Sequence, residues 1–385
     1  MRRHNLINFK IDQQTFELPN EFDSNFVVQS IPKAYSVQWL EDNKPDNLIS
    51  NLLQEHSKSL LLIDEKVYDL YCNNLHIDPK RVFKAPATEE FKTLESVTKL
   101  VAFLEENNFT KSDKLIVVGG GIIQDIGGFT GACFKRGINW IFLPTTLLSM
   151  CDSCIGGKTG VNHNKAKNQL ALFSAPEKII INPYFLDTLD NRELKSGFGE
   201  ILKLLSIGGS KLMQLYAAKI SDAVNRDIDS CKSLILAALY VKKVIVENDE
   251  FELNIRKSLN YGHTIGHVIE TLSNYQIPHG QAVSMGMLIV NEMAYKRNLL
   301  SKETTQQFEK LCYDLIDLKV VQKSSNTLDT QQLLSLLQKD KKTLGTVLQL
   351  VIITEFGITD FIKLELTPTL VNEIHNIIRS KFIDL

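Results

Sequence analysis

Four short apolar runs constrain this chain most. SLLLID (59–64), KLIVVGGG (114–121), WIFLPTT (140–146) and KIIIN (178–182) are nearly continuous in apolar residues and end in polar residues or glycine. A strand apolar on both faces is covered on both faces, as in a parallel sheet. Between them lie segments such as 89–107, whose apolar residues recur at helical spacing. Strands alternating with helices predict a parallel α/β sheet. After about residue 190 the pattern changes. ELKSGFGEILKLLSI, SCKSLILAALYVKKVIVEND and AVSMGMLIVNEMAYKRNLL all carry helix-period apolar faces. TVLQLVIITEFG reads as a short strand pair or a buried extended piece. The expected organisation is an α/β domain over 1–190 and a mostly α-helical domain over 191–385, with a ligand cleft between them. A length of 385 residues suits two cores better than one.

Charge narrows the partners. The net charge is −2 and the pI about 6.5, so no basic surplus exists to hold a nucleic-acid backbone. Local lysine clusters still suit an anionic small substrate. The N-terminus, MRRHNLINFKIDQQTF, has no apolar stretch after its arginines, so no secretory signal is expected. No run approaches the ~20 apolar residues of a membrane-spanning helix. The cysteines, at 72, 133, 151, 154, 231 and 312, are expected to be reduced thiols of a cytoplasmic enzyme. Cys151 and Cys154 form a lone CxxC, better read as small residues in a tight loop than as half a zinc site.

Two constellations carry chemistry. In VVGGGIIQD (117–125) a strand meets three glycines, Gly119, Gly120 and Gly121, and then a helix start. Glycine lets backbone approach a phosphate, and the helix start offers open N–H groups. The spacing is not GxGxxG, so the standard dinucleotide fingerprint is absent. Thr145 and Thr146 end the next strand, where open α/β sheets bind ligands. The loop CDSCIGGKTGVNHNKAKNQ brings Asp152, Lys158, Lys167 and Asn168 among glycines, a composition suited to an anion.

The second constellation is NYGHTIGH (260–267). His263 and His267, four apart, share one face of a helix. His279 opens PHGQAVSMGM, and Glu200 sits in the otherwise apolar GFGEILK, where an unpartnered carboxylate would be costly. Two imidazoles and a carboxylate with one open position suit a catalytic zinc ion. Spacing alone does not choose two of the three histidines. Lys203 lies one turn after Glu200 on the same face. A nucleotide-type turn and a metal set in one chain suit hydride transfer at a metal-bound hydroxyl.

The ordered run GGGIIQD, FKRGI, PTTLLSMCDSCIGGKTGVN, GEILK, RKSLNYGHTIGHVIE, HGQAVSMGM and DKK resembles the 3-dehydroquinate synthase family of sugar phosphate cyclases over roughly residues 60–345. The resemblance implies a Rossmann-like N-terminal nucleotide-binding domain and a helical metal-binding domain, the fold of glycerol and iron-type alcohol dehydrogenases. It implies conversion of 3-deoxy-arabino-heptulosonate 7-phosphate to 3-dehydroquinate with NAD and Zn²⁺ or Co²⁺, in a cytoplasmic homodimer. It implies Glu200, His263 and His279 as metal ligands and His267 as a proton-relay group. Lys158, Asn168, Asn260, His267 and Lys341 match phosphate positions, Lys242 and Arg256 carboxylate positions, and Lys167 and Lys203 further active-site lysines. Arg136 matches an arginine that reaches into the partner's site. For NAD the matches are Asp64, Glu89, Lys92, Gly119, Gly120, Gly121, Asp125, Thr145, Thr146, Asp152, Lys158, Lys167, Phe185, Thr188 and Leu189. Departures from the pattern are Gln124, Lys66, Leu204 and Asn182, and residues before about 55 match poorly. Retention of Arg256 and Lys242 favours a carboxylate-bearing substrate over the valiolone- and inosose-type alternatives. A metal-dependent polyol or alcohol dehydrogenase is the rival activity.

Overall fold

A computed structural model describes residues 6–31, 33–164, 166–325, 329–339, 343–344 and 347–384. The chain forms two compact units, Asp23–Asp190 and Met1–Phe22 with Asn191–Leu385. The α/β unit therefore starts at Asp23, and the first 22 residues, expected in it, belong to the other unit.

The α/β unit is built on a seven-stranded sheet. Its spatial order is Asn25–Val28, Tyr35–Trp39, Lys178–Ile181, Asn139–Pro144, Lys114–Gly119, Leu60–Asp64, Val82–Ala85. All neighbours pair in parallel except the first two, which are antiparallel. The four apolar runs supply the buried centre, and Leu61, Leu62, Val117, Val118, Phe142 and Leu143 have no exposed surface. The chain steps outward from Leu60–Asp64 to Val82–Ala85, then returns to the other side of Leu60–Asp64 with Lys114–Gly119. The order thus reverses between those two strands, and their carboxyl ends, Asp64 and Gly119, flank the crevice where such sheets bind ligands. The helix expected over 89–107 runs Leu94–Glu106, capped by Thr93, and Glu89–Phe91 is a separate tight turn.

The second unit is helical but holds a five-stranded sheet that the sequence did not predict in full. The segment TVLQLVIITEFG, expected as a short strand pair or a buried extended piece, forms one strand, Val347–Glu355, whose antiparallel partner Ile358–Glu365 follows it, and the N-terminal Ile7–Ile11 adds in parallel to Ile358–Glu365, followed by Gln14–Leu18. Ile7, Phe9 and Ile11 alternate with exposed Asn8 and Lys10, the period-2 pattern of a half-buried strand. Three helices position the chemistry, Asn191–Gly208, His263–Leu272 and His279–Lys296. They meet backbone to backbone. A Cβ on Gly280 would lie 2.6 Å from the Ser196 carbonyl carbon, and one on Gly286 would lie 2.9 Å from that of Gly262. Only glycine permits contacts this close, and they bind the His279 helix to both neighbours. Among the described residues no helix is long and apolar enough to cross a membrane.

Candidate metal centre and nucleotide turn

Glu200 is 1% exposed, so its carboxylate must be met inside the protein. Lys203, equally buried one turn on, donates to Oε2. Oε1 is buried without a hydrogen-bond partner. Two imidazole nitrogens face it, His279 Nε2 at 3.3 Å and His263 Nε2 at 3.8 Å. The other nitrogen of each ring is engaged. His263 Nδ1 lies 3.2 Å from the Tyr261 carbonyl oxygen and His279 Nδ1 lies 3.1 Å from Glu270 Oε2. A carbonyl oxygen only accepts, so His263 Nδ1 carries the proton and its Nε2 offers a lone pair. An orphaned carboxylate oxygen opposite two imidazole nitrogens, all within 4.8 Å, fits a divalent cation with a position to spare.

The electrostatics agree. His279 is pushed up to about 10 in the metal-free chain: burial works against its charge, but the Glu270 and Glu200 carboxylates outweigh it. The pocket calls for positive charge. His267 is exposed, with its ring 5.5 Å from that of His263 and 5.7 Å from that of His279. All three imidazoles therefore cluster, and Glu200 is shared by His263 and His279.

The other predicted residues of this unit sit close by in sequence and on ordered supports. Lys242 is buried in the helix Ile228–Asn248. Arg256 is 1% exposed in the tight turn Ile255–Asn260, and its Nη1 donates to the Glu250 carbonyl. Asn260 Nδ2 donates to Glu252 Oε1 at 3.1 Å. Asp249, which no local motif marks, holds this turn by accepting from the backbone N–H groups of Leu253, Asn254 and Arg256 at 2.8, 2.7 and 2.9 Å. Lys341 lies outside the described residues.

In the α/β unit, the helix Gly121–Cys133 begins after Gly120 with no side-chain cap, leaving its first amides open to an anion. Thr145 N–H donates to the Gly119 carbonyl at 3.0 Å, and a Cβ on Gly120 would meet Thr146 Cγ2 at 2.9 Å. Asp64 caps the following helix through Lys66 N–H at 2.9 Å, so Lys66 serves there by its backbone. Asp125 Oδ2 pairs with the buried Lys92 Nζ at 2.5 Å, and its Oδ1 accepts from Gly160 N–H at 3.3 Å. Burial raises the Asp125 carboxyl above its usual range, with Lys92 opposing. Glu89 accepts from Asn162 Nδ2 at 2.7 Å and lies 3.8 Å from Lys167 Nζ. Asn162 Oδ1 in turn accepts from the Asn168 N–H at 2.9 Å. Asn162 is thus the hub that joins Glu89 to the loop of Lys167 and Asn168; it lies in the GKTGVN motif, whose spacing gives no sign of this role. Lys158 opens this hairpin and is exposed. Phe185 packs edge-on against Tyr71 at 5.4 Å, and Tyr71 Oη lies 2.7 Å from Thr188 Oγ1, next to Leu189. Arg136 is exposed in a turn with φ 63°.

Two departures from the family pattern are absorbed locally. Gln124 Nε2 donates to the Ser153 carbonyl and Gln124 Oε1 accepts from Ser153 Oγ, both at 2.7 Å, tying the turn that carries Asp152 to the nucleotide helix. Asn182 accepts from Tyr184 N–H at 3.1 Å, capping the segment before Phe185. Leu204 is fully buried. Cys151 and Cys154 form no disulfide, and their thiols donate to the Leu148 and Met150 carbonyls.

Family models described as 3-dehydroquinate synthase N-terminal and C-terminal match residues 82–196 and 197–343. The chain belongs to the 3-dehydroquinate synthase family. A 3-dehydroquinate synthase of Streptococcus thermophilus is 36% identical over 315 residues, covering 79% of this chain and 86% of that one. Among solved structures, a 2-deoxy-scyllo-inosose synthase complexed with carbaglucose-6-phosphate, NAD⁺ and Co²⁺ superposes with a TM-score of 0.78 at 20% identity, covering 92% and 99% of the two chains. A 2-epi-5-epi-valiolone synthase from Streptomyces hygroscopicus with NAD⁺ and Zn²⁺ gives 0.72 at 22% identity, covering 92% and 98%. These structures share the family's α/β and helical architecture.

Proposed function

We propose that this chain converts 3-deoxy-arabino-heptulosonate 7-phosphate to 3-dehydroquinate and phosphate, as a carbon–oxygen lyase dependent on NAD and a divalent ion. The observation that carries it is the buried, orphaned Glu200 Oε1 facing His263 and His279, in a chain 36% identical to a 3-dehydroquinate synthase. Structural relatives with NAD⁺ and Co²⁺ or Zn²⁺ support both cofactors. When bound, NAD supplies a reversible hydride acceptor and the ion a Lewis acid at one ring hydroxyl, so elimination and ring closure proceed without net oxidation.

The residues divide this work. Glu200, His263 and His279 would hold Zn²⁺ or Co²⁺. The open amides after Gly120 suit the NAD pyrophosphate, and the other positions matched for NAD in the α/β unit, Asp64 to Leu189, would bind the remainder. Buried Lys242 and Arg256 pair with the substrate carboxylate, Arg256 through a two-pronged contact. Lys158, Lys167 and Lys341 would neutralise the phosphate and Asn168 and Asn260 would donate hydrogen bonds to it, so that it leaves as an anion. With that carbon at the ketone level, the neighbouring C–H would give its proton to an oxygen of the substrate's own phosphate, and the electron pair left on carbon would form the C=C bond as the C–O bond to phosphate breaks. His267, exposed beside the metal histidines, and Lys203 serve proton movement. Arg136, exposed on its turn, would reach the partner's site in a homodimer, and the free cysteines suit the cytoplasm.

The test is phosphate release, with NAD⁺ and Zn²⁺ or Co²⁺, from the seven-carbon keto-acid phosphate against sedoheptulose 7-phosphate and glucose 6-phosphate. Release from the keto acid alone is expected. Steady NADH accumulation from a polyol, with no phosphate release, would establish the dehydrogenase instead.

A further inference from the structure

Glu270 lies in the last turn of the helix that His263 begins, and its side chain is 10% exposed. Its Oε2 lies 3.1 Å from His279 Nδ1. Nothing in the spacing of the sequence marks it. We propose that Glu270 is a positioning residue of the metal centre, which accepts the His279 Nδ1 proton and thereby aims Nε2 at the ion shared with Glu200 and His263. The inference rests on reading those three residues as the ligands.

The argument is one of valence and geometry. A neutral imidazole has one N–H and one lone pair. A carboxylate at Nδ1 keeps the proton there and leaves the lone pair on Nε2, the atom 3.3 Å from Glu200 Oε1. His263 obtains the same tautomer from the Tyr261 carbonyl at 3.2 Å. The two rings thus have separate acceptors, one neutral and one charged. The charged acceptor raises the donor strength of His279 more, because it stabilises positive charge on the ring. The pair is held rigidly. A Cβ on Gly266, midway along the Glu270 helix, would lie 3.0 Å from the Ala282 carbonyl oxygen, so this helix and that of His279 touch through backbone.

His267, Glu270 and His279 also converge within 4.8 Å and resemble a second ion site. Occupying both sites would require His279 to bridge two ions as a fully deprotonated imidazolate. The neutral ring has only one lone pair, so with Nε2 directed at Glu200 the Nδ1 position must donate. Glu270 is then its acceptor and not a ligand.

The test compares wild type, Glu270→Gln and Glu270→Ala after removal of metal by a chelator. Co²⁺ is titrated back against a chromophoric competitor, the visible d–d spectrum is recorded, and the apo chains are melted. Wild type should bind one Co²⁺ per chain. Glu270→Ala should bind it about 10–100-fold more weakly, with an altered spectrum. Glu270→Gln, whose amide oxygen still accepts, should recover part of the affinity, and the apo melting temperatures should agree. Affinity and spectrum unchanged in Glu270→Ala would overturn the proposal. So would two Co²⁺ per wild-type chain falling to one, which makes Glu270 a ligand. A loss that tracks apo melting and is not recovered by Glu270→Gln would make the role merely structural. Wild type that binds no Co²⁺ would remove the metal centre itself.

Discussion

Replacing Gly280 by alanine should empty the metal centre of a chain that still folds. Gly280 follows His279, and a Cβ there would lie 2.6 Å from the Ser196 carbonyl carbon and nearer still to its oxygen. Both atoms are backbone, so no side-chain rotation relieves the clash. Ordinary contact begins at 3.4 Å, so clearing the oxygen requires the helices Asn191–Gly208 and His279–Lys296 to part by about 1.5 Å, since packed interiors hold no slack. Ser196 precedes Glu200 by one turn, and the displacement acts directly on the 3.3 Å between Glu200 Oε1 and His279 Nε2. Metal–ligand distances tolerate only about 0.2 Å. The shift would also strain the Gly280 N–H to Ser196 Oγ bond, now 2.9 Å. Overpacking costs about 1–3 kcal/mol, against about 5–15 for a whole fold. After dialysis against a weak chelator, metal analysis should find zinc in wild type and little in Gly280→Ala, with a melting temperature several degrees lower. Wild-type zinc affinity in the variant would refute the claim that this backbone contact sets the ligand geometry.

Three further outcomes are expected. His263→Ala should lose bound metal and phosphate-releasing activity together, checked by metal analysis and assay on one preparation; full zinc occupancy would exclude His263 as a ligand. Arg256→Ala should weaken the apparent binding of a carboxylate-bearing substrate by about 2–4 kcal/mol, read as KM, and an unchanged KM would remove that role. Asp249→Ala should destabilise the unit by about 2–4 kcal/mol at pH 7, because three backbone N–H groups lose their acceptor. Burial pushes the Asp249 carboxyl up, but those three donors and Arg256 outweigh it, leaving it below its usual range. Its stabilisation is therefore full above the unfolded value of about 4 and fades as pH falls through the folded one. Urea unfolding should show the variant's deficit at pH 7 shrinking near pH 3; a deficit independent of pH would contradict the assignment.

Much of the site was legible because its signals are local. Glu200 stands out as a carboxylate in an apolar helix, and His263 and His279 as histidines at helix starts. The strands of the α/β unit are legible for the same reason, their burial being written in consecutive residues. Asn162, Asp249 and Glu270 escaped because each acts on a partner whose importance shows only once the chain is folded. The start of the helix Leu94–Glu106 was misplaced because the apolar spacing continues through a turn that leaves Lys92 facing Asp125.

The residues alone determined the alternation of strand and helix, the family, and the inventory of donors and cations, since burial period and side-chain chemistry are properties of short stretches. Tertiary structure decided that Ile7–Ile11 joins a strand some 350 positions away. It decided also that two of three clustered imidazoles turn their Nε2 atoms toward Glu200. Those outcomes depend on how closely separate helices and strands approach, which glycine contacts between distant segments set and no local pattern records.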